Sequence, residues 1–279
     1  MRGEGGVTGH RPRKALGQHF LHDPHVIARI VAAVDPQPED LVVEIGPGLG
    51  ALTQPLLARL RHLHVVEYDR DLAAHWRAQA QAGAPISVHE ADALTFDFGA
   101  LGTGLRVVGN LPYNISTPLL FHLASYAERL RDLHLMLQRE VVERMAAAPA
   151  TVAYGRLSVM IQAQFRVERL FTVAPGCFRP PPKVESAVVR LLPLPPAQRP
   201  CRNLTGLAEL TRRAFGQRRK TLRNSLHGLL AADRLLALGI DPQRRGESLS
   251  LAEFARLAEA LDAQARADDS RRGADESGR

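Results

Sequence analysis

Two short segments of this chain carry residue types that could perform chemistry together. The first runs from Asn110 to Tyr113 and follows an apolar run at 106–108. An amino group attached to an aromatic ring is a poor nucleophile, because its lone pair is delocalised into the ring. The Asn110 side-chain oxygen and the Pro112 carbonyl could accept its two N–H bonds and aim the lone pair at an electrophile, while the Tyr113 ring stacks on the base. The segment therefore predicts group transfer to the exocyclic nitrogen of a base.

The second segment is a glycine-rich loop that suits a nucleoside-bearing cofactor. Gly46, Gly48 and Gly50 follow the apolar run 41–45. Glycine permits a tight turn and lets a ligand approach the backbone closely. The next apolar run ends at Glu67, about 20 residues after the first glycine, where a carboxylate can accept both ribose hydroxyls.

A nicotinamide-dependent oxidoreductase could also contain such a loop. Against it, Glu44 precedes the glycines where dinucleotide folds usually keep an apolar residue, and the spacing is G-x-G-x-G rather than G-x-G-x-x-G. A third run ends at Asp92, which could accept a bond from the amino group of a cofactor adenine. This set is typical of methyltransferases that use S-adenosylmethionine (SAM), and no catalytic His or Tyr-x-x-x-Lys arrangement supports hydride transfer. The sequence therefore predicts SAM as the methyl donor, with no metal.

The surrounding pattern predicts an α/β fold with a mainly parallel sheet, because apolar runs alternate with helical patterns. Such sheets bind ligands beyond the carboxyl ends of their strands, where these motifs fall. Asp23 and Pro24 are predicted to open the first helix. Strands are predicted at 41–45, 64–66, 86–88, 106–108, 133–137 and 184–192. Further helices are predicted at 56–60, 72–80, 118–126, 140–145 and 153–165.

Beyond a proline-rich linker at 193–200 the pattern is purely helical, and Ser250 with Glu253 forms a capping box. Segment 214–226 is unusually basic and predicts one helix that buries an apolar stripe of Phe215, Leu222 and Leu226. Its opposite face would contact phosphates; the alternative is a merely solvated face. The predicted RNA-binding residues are Arg218, Arg219, Lys220 and Arg223.

Composition sets the domain plan and the partner class. The net charge of +7 favours a polyanionic partner. Two cysteines without a metal or disulfide pattern indicate a reducing, cytoplasmic setting, and no apolar run approaches the roughly 20 residues of a membrane span. We predict a mobile basic arm (1–14), a methyltransferase domain (15–200), a helical RNA- or ribosome-contacting domain (201–265) and a disordered tail (266–279). A monomer is expected.

Together these residues resemble the ribosomal RNA adenine N6,N6-dimethyltransferases, from Ala15 to about Ala263. The matching segments are 16–21, 44–50, 66–69, 110–116, 178–186 and 215–225. The last two, with 154–158, look more like the bacterial small-subunit enzyme than the antibiotic-resistance methylases of the large subunit. The resemblance implies a Rossmann-like SAM-dependent domain with a small C-terminal helical domain. It implies two methyl groups on each of two adjacent adenosines, in the loop of the 3′-terminal hairpin of 16S rRNA within a maturing 30S subunit.

The resemblance also implies individual roles. Asn110 would serve both SAM and the target base, and His19 stands where many relatives carry Asn, which would make its contact with the methionine carboxylate pH-sensitive. Phe178, in a proline-stiffened loop, is the candidate for stacking on the other face of the base. The predicted SAM-binding residues are His19, Leu21, Gly46, Gly48, Glu67, Asp92 and Asn110.

Two other functions share much of this pattern. The chain could be an RNA-binding assembly factor whose methylation is incidental, with the basic helical domain carrying that role. It could also be a related methylase of large-subunit rRNA, against which the basic segment argues only by resemblance.

Overall fold

The computed structural model describes residue 13, residues 17–217 and residues 219–262. These form two compact units. The first contains the described residues up to Val142 together with Phe165–Pro193, and the second contains Glu143–Gln164 and the described residues from Leu194 onward. This division differs from the predicted boundary at residue 200, because the helix Arg156–Gln162 packs on the helix Leu204–Gly216 of the second unit.

The first unit is built on a seven-stranded sheet. Five neighbouring strands, β2 to β6, run parallel, and two antiparallel strands follow in the order β4-β3-β2-β5-β6-β9-β7. This confirms the predicted α/β class. Strands β1 and β8 pair with each other outside this sheet. The strands are β1 (Phe20–Leu21), β2 (Val42–Ile45), β3 (Leu63–Glu67), β4 (Ile86–Glu90), β5 (Leu105–Asn110), β6 (Leu130–Gln138), β7 (Phe165–Val173), β8 (Phe178–Arg179) and β9 (Ser186–Pro193).

Helices connect most of these strands and make up most of the second unit. The first helix confirms its sequence signal: the Asp23 carboxylate accepts the N–H groups of His25 and Val26 at 2.9 and 3.0 Å, and Pro24 takes the first helical position. The helices are α1 (Pro24–Val34), α2 (Thr53–Leu57), α3 (Arg70–Gln81), α4 (Ser116–Ala124), α5 (Arg139–Met145), α6 (Arg156–Gln162), α7 (Leu204–Gly216), α8 (Leu222–Ser225), α9 (Ala232–Ala237) and α10 (251–262).

Strand β7 was not predicted. The segment 153–165 was predicted as one helix, but the helix covers only α6 and the chain then enters the sheet edge. Charged residues such as Arg166, Glu168 and Arg169 interrupt the apolar pattern of β7, as is common in edge strands.

The basic segment is not the single helix that its pattern predicted. Helix α7 ends at Gly216, and α8 begins only at Leu222. The N–H of Leu222 donates to the Arg244 carbonyl at 2.7 Å and that of Arg223 to the Pro242 carbonyl at 2.9 Å, so neither joins a helical ladder from 214–220. Leu222 and Leu226 are buried as predicted, whereas Phe215 is only half-buried.

The capping box ahead of α10 is confirmed. The N–H of Ser250 donates to Glu253 Oε2 at 2.7 Å, and the N–H of Glu253 donates to Ser250 Oγ at 3.2 Å. None of the helices within the described ranges is long and apolar enough to span a bilayer.

A buried ionic network lies near the start of β5. The Arg106 guanidinium donates to both carboxylate oxygens of Asp132, with its shortest bond at 2.7 Å, and to Asp40 at 2.6 Å. Its Nη2 also donates to the Val34 carbonyl at 2.6 Å. Burial raises the pKa of the Asp132 carboxyl, but the nearby His134 ring and the bonds from Arg106 outweigh this and hold it at about 2. The network therefore depends on a charged Arg106 with several partners.

Candidate active site

A cavity of about 290 Å³ lies at the carboxyl ends of β2 to β5 in the first unit. It is lined by segment 17–21 and by the residues that end or follow those four strands. The structure thus brings together segments that lie far apart in sequence, because parallel strands end at one edge of the sheet. All seven residues predicted to bind SAM line this cavity: His19, Leu21, Gly46, Gly48, Glu67, Asp92 and Asn110.

The glycine loop after β2 forms one wall, and its shape requires glycine. Gly46 and Gly50 have φ angles of +68° and +91°, in the left-handed region that favours glycine. A Cβ on Gly50 would lie 2.8 Å from the Trp76 ring, whereas a Cβ on Gly46 would meet nothing within 4 Å. Trp76 Nε1 also donates to the Gly48 carbonyl at 3.0 Å. Trp76 therefore packs against the loop at Gly50 and bonds to it at Gly48, whereas the loop has room for a ligand at Gly46.

Glu67 is held in place at the end of β3. One carboxylate oxygen accepts the Asp69 N–H at 2.8 Å and the other accepts the Gly48 N–H at 3.2 Å. Burial raises the pKa of Glu67, although these two backbone bonds oppose the shift. A carboxylate oriented in this way beside a glycine loop is suited to accept ribose hydroxyls.

Glu44 is a second buried carboxyl at this wall, and its titration was not foreseen. Burial, together with the nearby Glu67 charge, raises the pKa of Glu44 to about 8. Its Oε2 is buried without a hydrogen-bond partner among the described residues. An unpartnered carboxyl oxygen in the cavity wall can accept a hydrogen bond from a ligand, and a positively charged ligand such as SAM would favour the ionised form of Glu44. The position of Glu44 directly before the glycines was the only available sequence signal.

The raised pKa of Glu44 predicts a pH-dependent stability without ligand. The pKa of Glu44 rises from about 4.5 to about 8 on folding. Its contribution to the free energy of unfolding is therefore fully present below about pH 4.5 and is lost as the pH rises through about 8. Between these values the free energy of unfolding of the wild type should fall, relative to Glu44→Gln, by about 1.4 kcal/mol per pH unit. Urea unfolding at several pH values measures this difference, and parallel pH profiles would contradict it.

Asn110 stands at the end of β5 and is fixed through its amide nitrogen. Its Nδ2 donates to the His19 carbonyl at 2.9 Å, so Oδ1 remains available as an acceptor. The Pro112 carbonyl is already engaged, by the Ser116 hydroxyl at 3.0 Å and the Ile115 N–H at 3.3 Å at the start of α4. Of the two predicted acceptors, Asn110 is therefore the one that this conformation leaves free.

Asp92, His19 and Tyr113, which also line the cavity, make contacts within the protein. Asp92 Oδ1 accepts the Leu94 N–H at 2.9 Å, so Asp92 stabilises a turn and also lines the cavity. His19 Nδ1 lies 2.7 Å from the Pro180 carbonyl. The rings of His19 and Tyr113 are stacked, with centroids 5.5 Å apart.

Phe178 is not where its predicted role requires it. The side chain is 2% exposed, belongs to the hydrophobic core and does not line the cavity. The reason is the pairing of β8 with β1, which sets Phe178 opposite Leu21. This placement corrects the expectation that Phe178 stacks on a base.

The predicted RNA-binding residues lie in the second unit. Arg219 and Lys220 are exposed at the break between α7 and α8, Arg223 is exposed in α8, and Arg218 lies outside the described residues. Across the described part of the chain, no three His, Cys, Asp or Glu side chains are grouped to hold a metal ion. Metal independence stays a prediction.

Comparisons with known proteins agree on one family. The model of the family described as Ribosomal RNA adenine dimethylase matches residues 9–263. A protein of Chromobacterium violaceum named Ribosomal RNA small subunit methyltransferase A is 57% identical over 256 residues, which cover 91% of this chain and 97% of that protein. A protein of Aromatoleum aromaticum with the same name is 57% identical over 248 residues, covering 89% and 93%.

Two solved structures extend this agreement to the fold. A dimethyladenosine transferase from Plasmodium falciparum superposes with a TM-score of 0.76 at 26% identity, covering 88% of this chain and 98% of that one. The 23S rRNA methyltransferase ErmE superposes with a TM-score of 0.64 at 27% identity, covering 87% and 99%. The predicted methyltransferase fold is confirmed.

Proposed function

The chain belongs to the ribosomal RNA adenine dimethylase family, and from that premise we propose its substrate and product. It transfers four methyl groups from SAM to the N6 atoms of two adjacent adenosines in the loop of the 3′-terminal hairpin of 16S rRNA. The acceptor is a maturing 30S subunit, and the protein acts as a cytoplasmic monomer with a role in small-subunit biogenesis. The observation that carries this proposal is that Asn110 and Tyr113 share one cavity with Glu67 and the glycine loop.

The cavity residues fit SAM, which when bound supplies a methyl group on a sulfonium. Glu67 would hold the ribose hydroxyls, and Asp92 would accept from the adenine amino group. The glycine loop at Gly46 and Gly48 would lie along the amino-acid part of SAM, with His19 and Leu21 on the opposite wall.

The target base must leave its stack to reach this cavity. Tyr113 would then stack on its ring, and Asn110 Oδ1 would accept an N–H of its amino group. Dimethylation suits a site with one free acceptor, because the monomethylated nitrogen retains a single N–H. Asn110 can serve that bond in both transfers, while the Pro112 carbonyl stays bonded to the start of α4. Positioning, rather than a strong base, would supply the rate.

Removal of the Glu67 charge should weaken SAM binding. Glu67→Gln is expected to raise the dissociation constant for SAM about tenfold to a hundredfold, because it replaces a charged acceptor of two hydroxyls with a neutral one. The matched control is Glu90→Gln, which changes the carboxylate paired with Glu67 in strand register but outside the cavity. Isothermal titration calorimetry measures both, and equal affinities for the two variants would contradict the role of Glu67.

The exposed basic residues should contribute to RNA binding and not to SAM binding. A triple variant, Arg219→Gln, Lys220→Gln and Arg223→Gln, is expected to reduce the salt dependence of subunit binding by about 2 in log–log slope. Arg212→Gln is the matched control, because Arg212 is already paired with Glu209 at 2.8 Å. Binding to under-methylated 30S subunits between low and moderate salt measures the slope, and an unchanged slope would contradict an RNA-contacting surface here.

The ribosomal subunit that accepts the methyl groups distinguishes the proposed small-subunit activity from that of a large-subunit methylase. Under-methylated 30S subunits and 50S subunits are offered separately with SAM carrying a labelled methyl group. Label in the small-subunit RNA alone is the expected result. Label confined to large-subunit RNA would overturn the proposed substrate and favour the large-subunit methylase.

The exposed basic cluster also favours a second candidate, an assembly factor that acts by binding. Asn110→Ala distinguishes the two, because it should remove methylation without touching the basic residues. Normal maturation of 30S subunits by this variant would assign the biological effect to binding.

A further inference from the structure

The Tyr113 ring is held at its hydroxyl by a residue outside the cavity. Tyr113 lies in the loop between β5 and α4, where its backbone has no strand partner. Its hydroxyl lies 2.6 Å from the Ser186 hydroxyl. Ser186 is 0% exposed and does not line the cavity, so it meets neither SAM nor a base there. Burial raises the pKa of Tyr113, which keeps its phenol protonated and able to take part in this bond at neutral pH.

Ser186 is a rigid point of attachment. It is the first residue of β9, and that strand is paired on both sides. In register, Ser186 stands opposite Gln138 of β6 and opposite Val173 of β7. A hydroxyl on such a strand moves less than one on a loop, because its backbone is fixed by two ladders.

One face of the Tyr113 ring is also occupied. His19 stacks on it with an interplanar angle of 29°, and His19 is itself held by its contact with the Pro180 carbonyl. The described residues place no second aromatic ring against Tyr113, and Phe178 lies in the core. The ring is thus held at its hydroxyl and at one face, and no second ring among the described residues occupies the other face, where the proposed base would stack.

We propose that Ser186 is a positioning residue that fixes the far end of the Tyr113 ring, and thereby the position of the stacked base relative to Asn110 Oδ1. This inference rests on the proposed function, since it requires Tyr113 to stack on the target base. The base amino group must meet Asn110 within hydrogen-bond distance and in line with the methyl donor. A small swing of the Tyr113 side chain about its Cα–Cβ bond would displace the stacked base and its amino group, so a fixed hydroxyl favours the productive position.

The test is a double-mutant cycle between the two hydroxyls. Ser186→Ala, Tyr113→Phe and the double variant are compared by kcat/KM on under-methylated 30S subunits, by SAM affinity and by thermal unfolding. Each single variant is expected to lose about threefold to tenfold in kcat/KM, as for one neutral hydrogen bond. The double variant should lose no more than either single one, with SAM affinity unchanged. Tyr126→Phe is the matched control, because it deletes a phenolic hydroxyl from a ring that does not line the cavity.

Several results would overturn the inference. Full kcat/KM in Ser186→Ala would do so, as would losses that multiply in the double variant. A parallel loss of SAM affinity and thermal stability in Ser186→Ala would assign the residue a general structural role instead. Tyr113→Ala separates this inference from its premise. Normal kcat/KM in Tyr113→Ala would overturn base stacking itself, whereas a strong loss there with a normal Ser186→Ala would overturn only the role of Ser186.

Discussion

Asn110→Ala is expected to lower the rate of methyl transfer by about 10²–10³-fold, the effect of removing one preorganised hydrogen-bonding group from a reacting centre. Among the described residues, none donates to Asn110 Oδ1 at the end of β5, and in the proposed mechanism this oxygen directs the amino lone pair. The measurement is single-turnover transfer to under-methylated 30S subunits at saturating SAM, which separates chemistry from product release.

The same variant should also weaken SAM binding to a smaller extent. Asn110 Nδ2 holds the His19 carbonyl, and its loss would loosen one contact of segment 17–21 with the cavity. Asn110→Asp tests the two functions separately, because it keeps an oxygen acceptor and removes the donor to His19. A loss below about tenfold in Asn110→Ala, with SAM bound, would contradict the proposed role of Oδ1.

Arg106→Leu is expected to lower the free energy of unfolding by about 3–5 kcal/mol, because it leaves the buried Asp132 carboxylate without its arginine partner. The Arg106 and Asp132 side chains are 5% and 9% exposed, so water cannot replace the lost bonds. Chemical denaturation monitored by Trp76 fluorescence measures the loss.

The pKa of Asp132 is lowered on folding. Its contribution to the free energy of unfolding is therefore present above about pH 3.8 and is lost as the pH falls through about 2.

Arg131 supplies the matched control for this prediction. It pairs with the same Asp40 carboxylate at 2.6 Å, but its side chain is 55% exposed. Arg131→Leu is therefore expected to cost about 0–1 kcal/mol. The double variant Arg106→Leu, Asp132→Leu should be less destabilised than Arg106→Leu alone, because one unpaired charge is removed. Equal losses in the two arginine variants would contradict the role of burial.

The cofactor wall could be predicted from sequence for a physical reason. Gly46, Glu67, Asp92 and Asn110 each follow an apolar run, and parallel strands end at a common edge. Topology alone therefore brings them together. Their hydrogen-bond partners could not all be predicted; one of the two partners of Glu67, for example, is a backbone N–H 19 residues away.

The failures arose where tertiary contacts decide local structure. Phe178 has no periodic context, since β8 has two residues and its pairing with β1 joins distant segments. The break after Gly216 depends on backbone bonds from Leu222 and Arg223 to carbonyls about 20 residues further along the chain. Ser186 carried no sign of its contact, because a serine at a strand start is common and its partner lies 73 residues away.

We propose that this chain converts two adjacent adenosines of 16S rRNA to N6,N6-dimethyladenosine. The most direct measurement incubates the purified protein with SAM and under-methylated 30S subunits, then digests the 16S rRNA for mass spectrometry. The expected result is N6,N6-dimethyladenosine confined to the 3′-terminal hairpin fragment, on two adjacent adenosines, and absent with Asn110→Ala. Monomethyladenosine as the only final product, or dimethyladenosine elsewhere in the RNA, would contradict it.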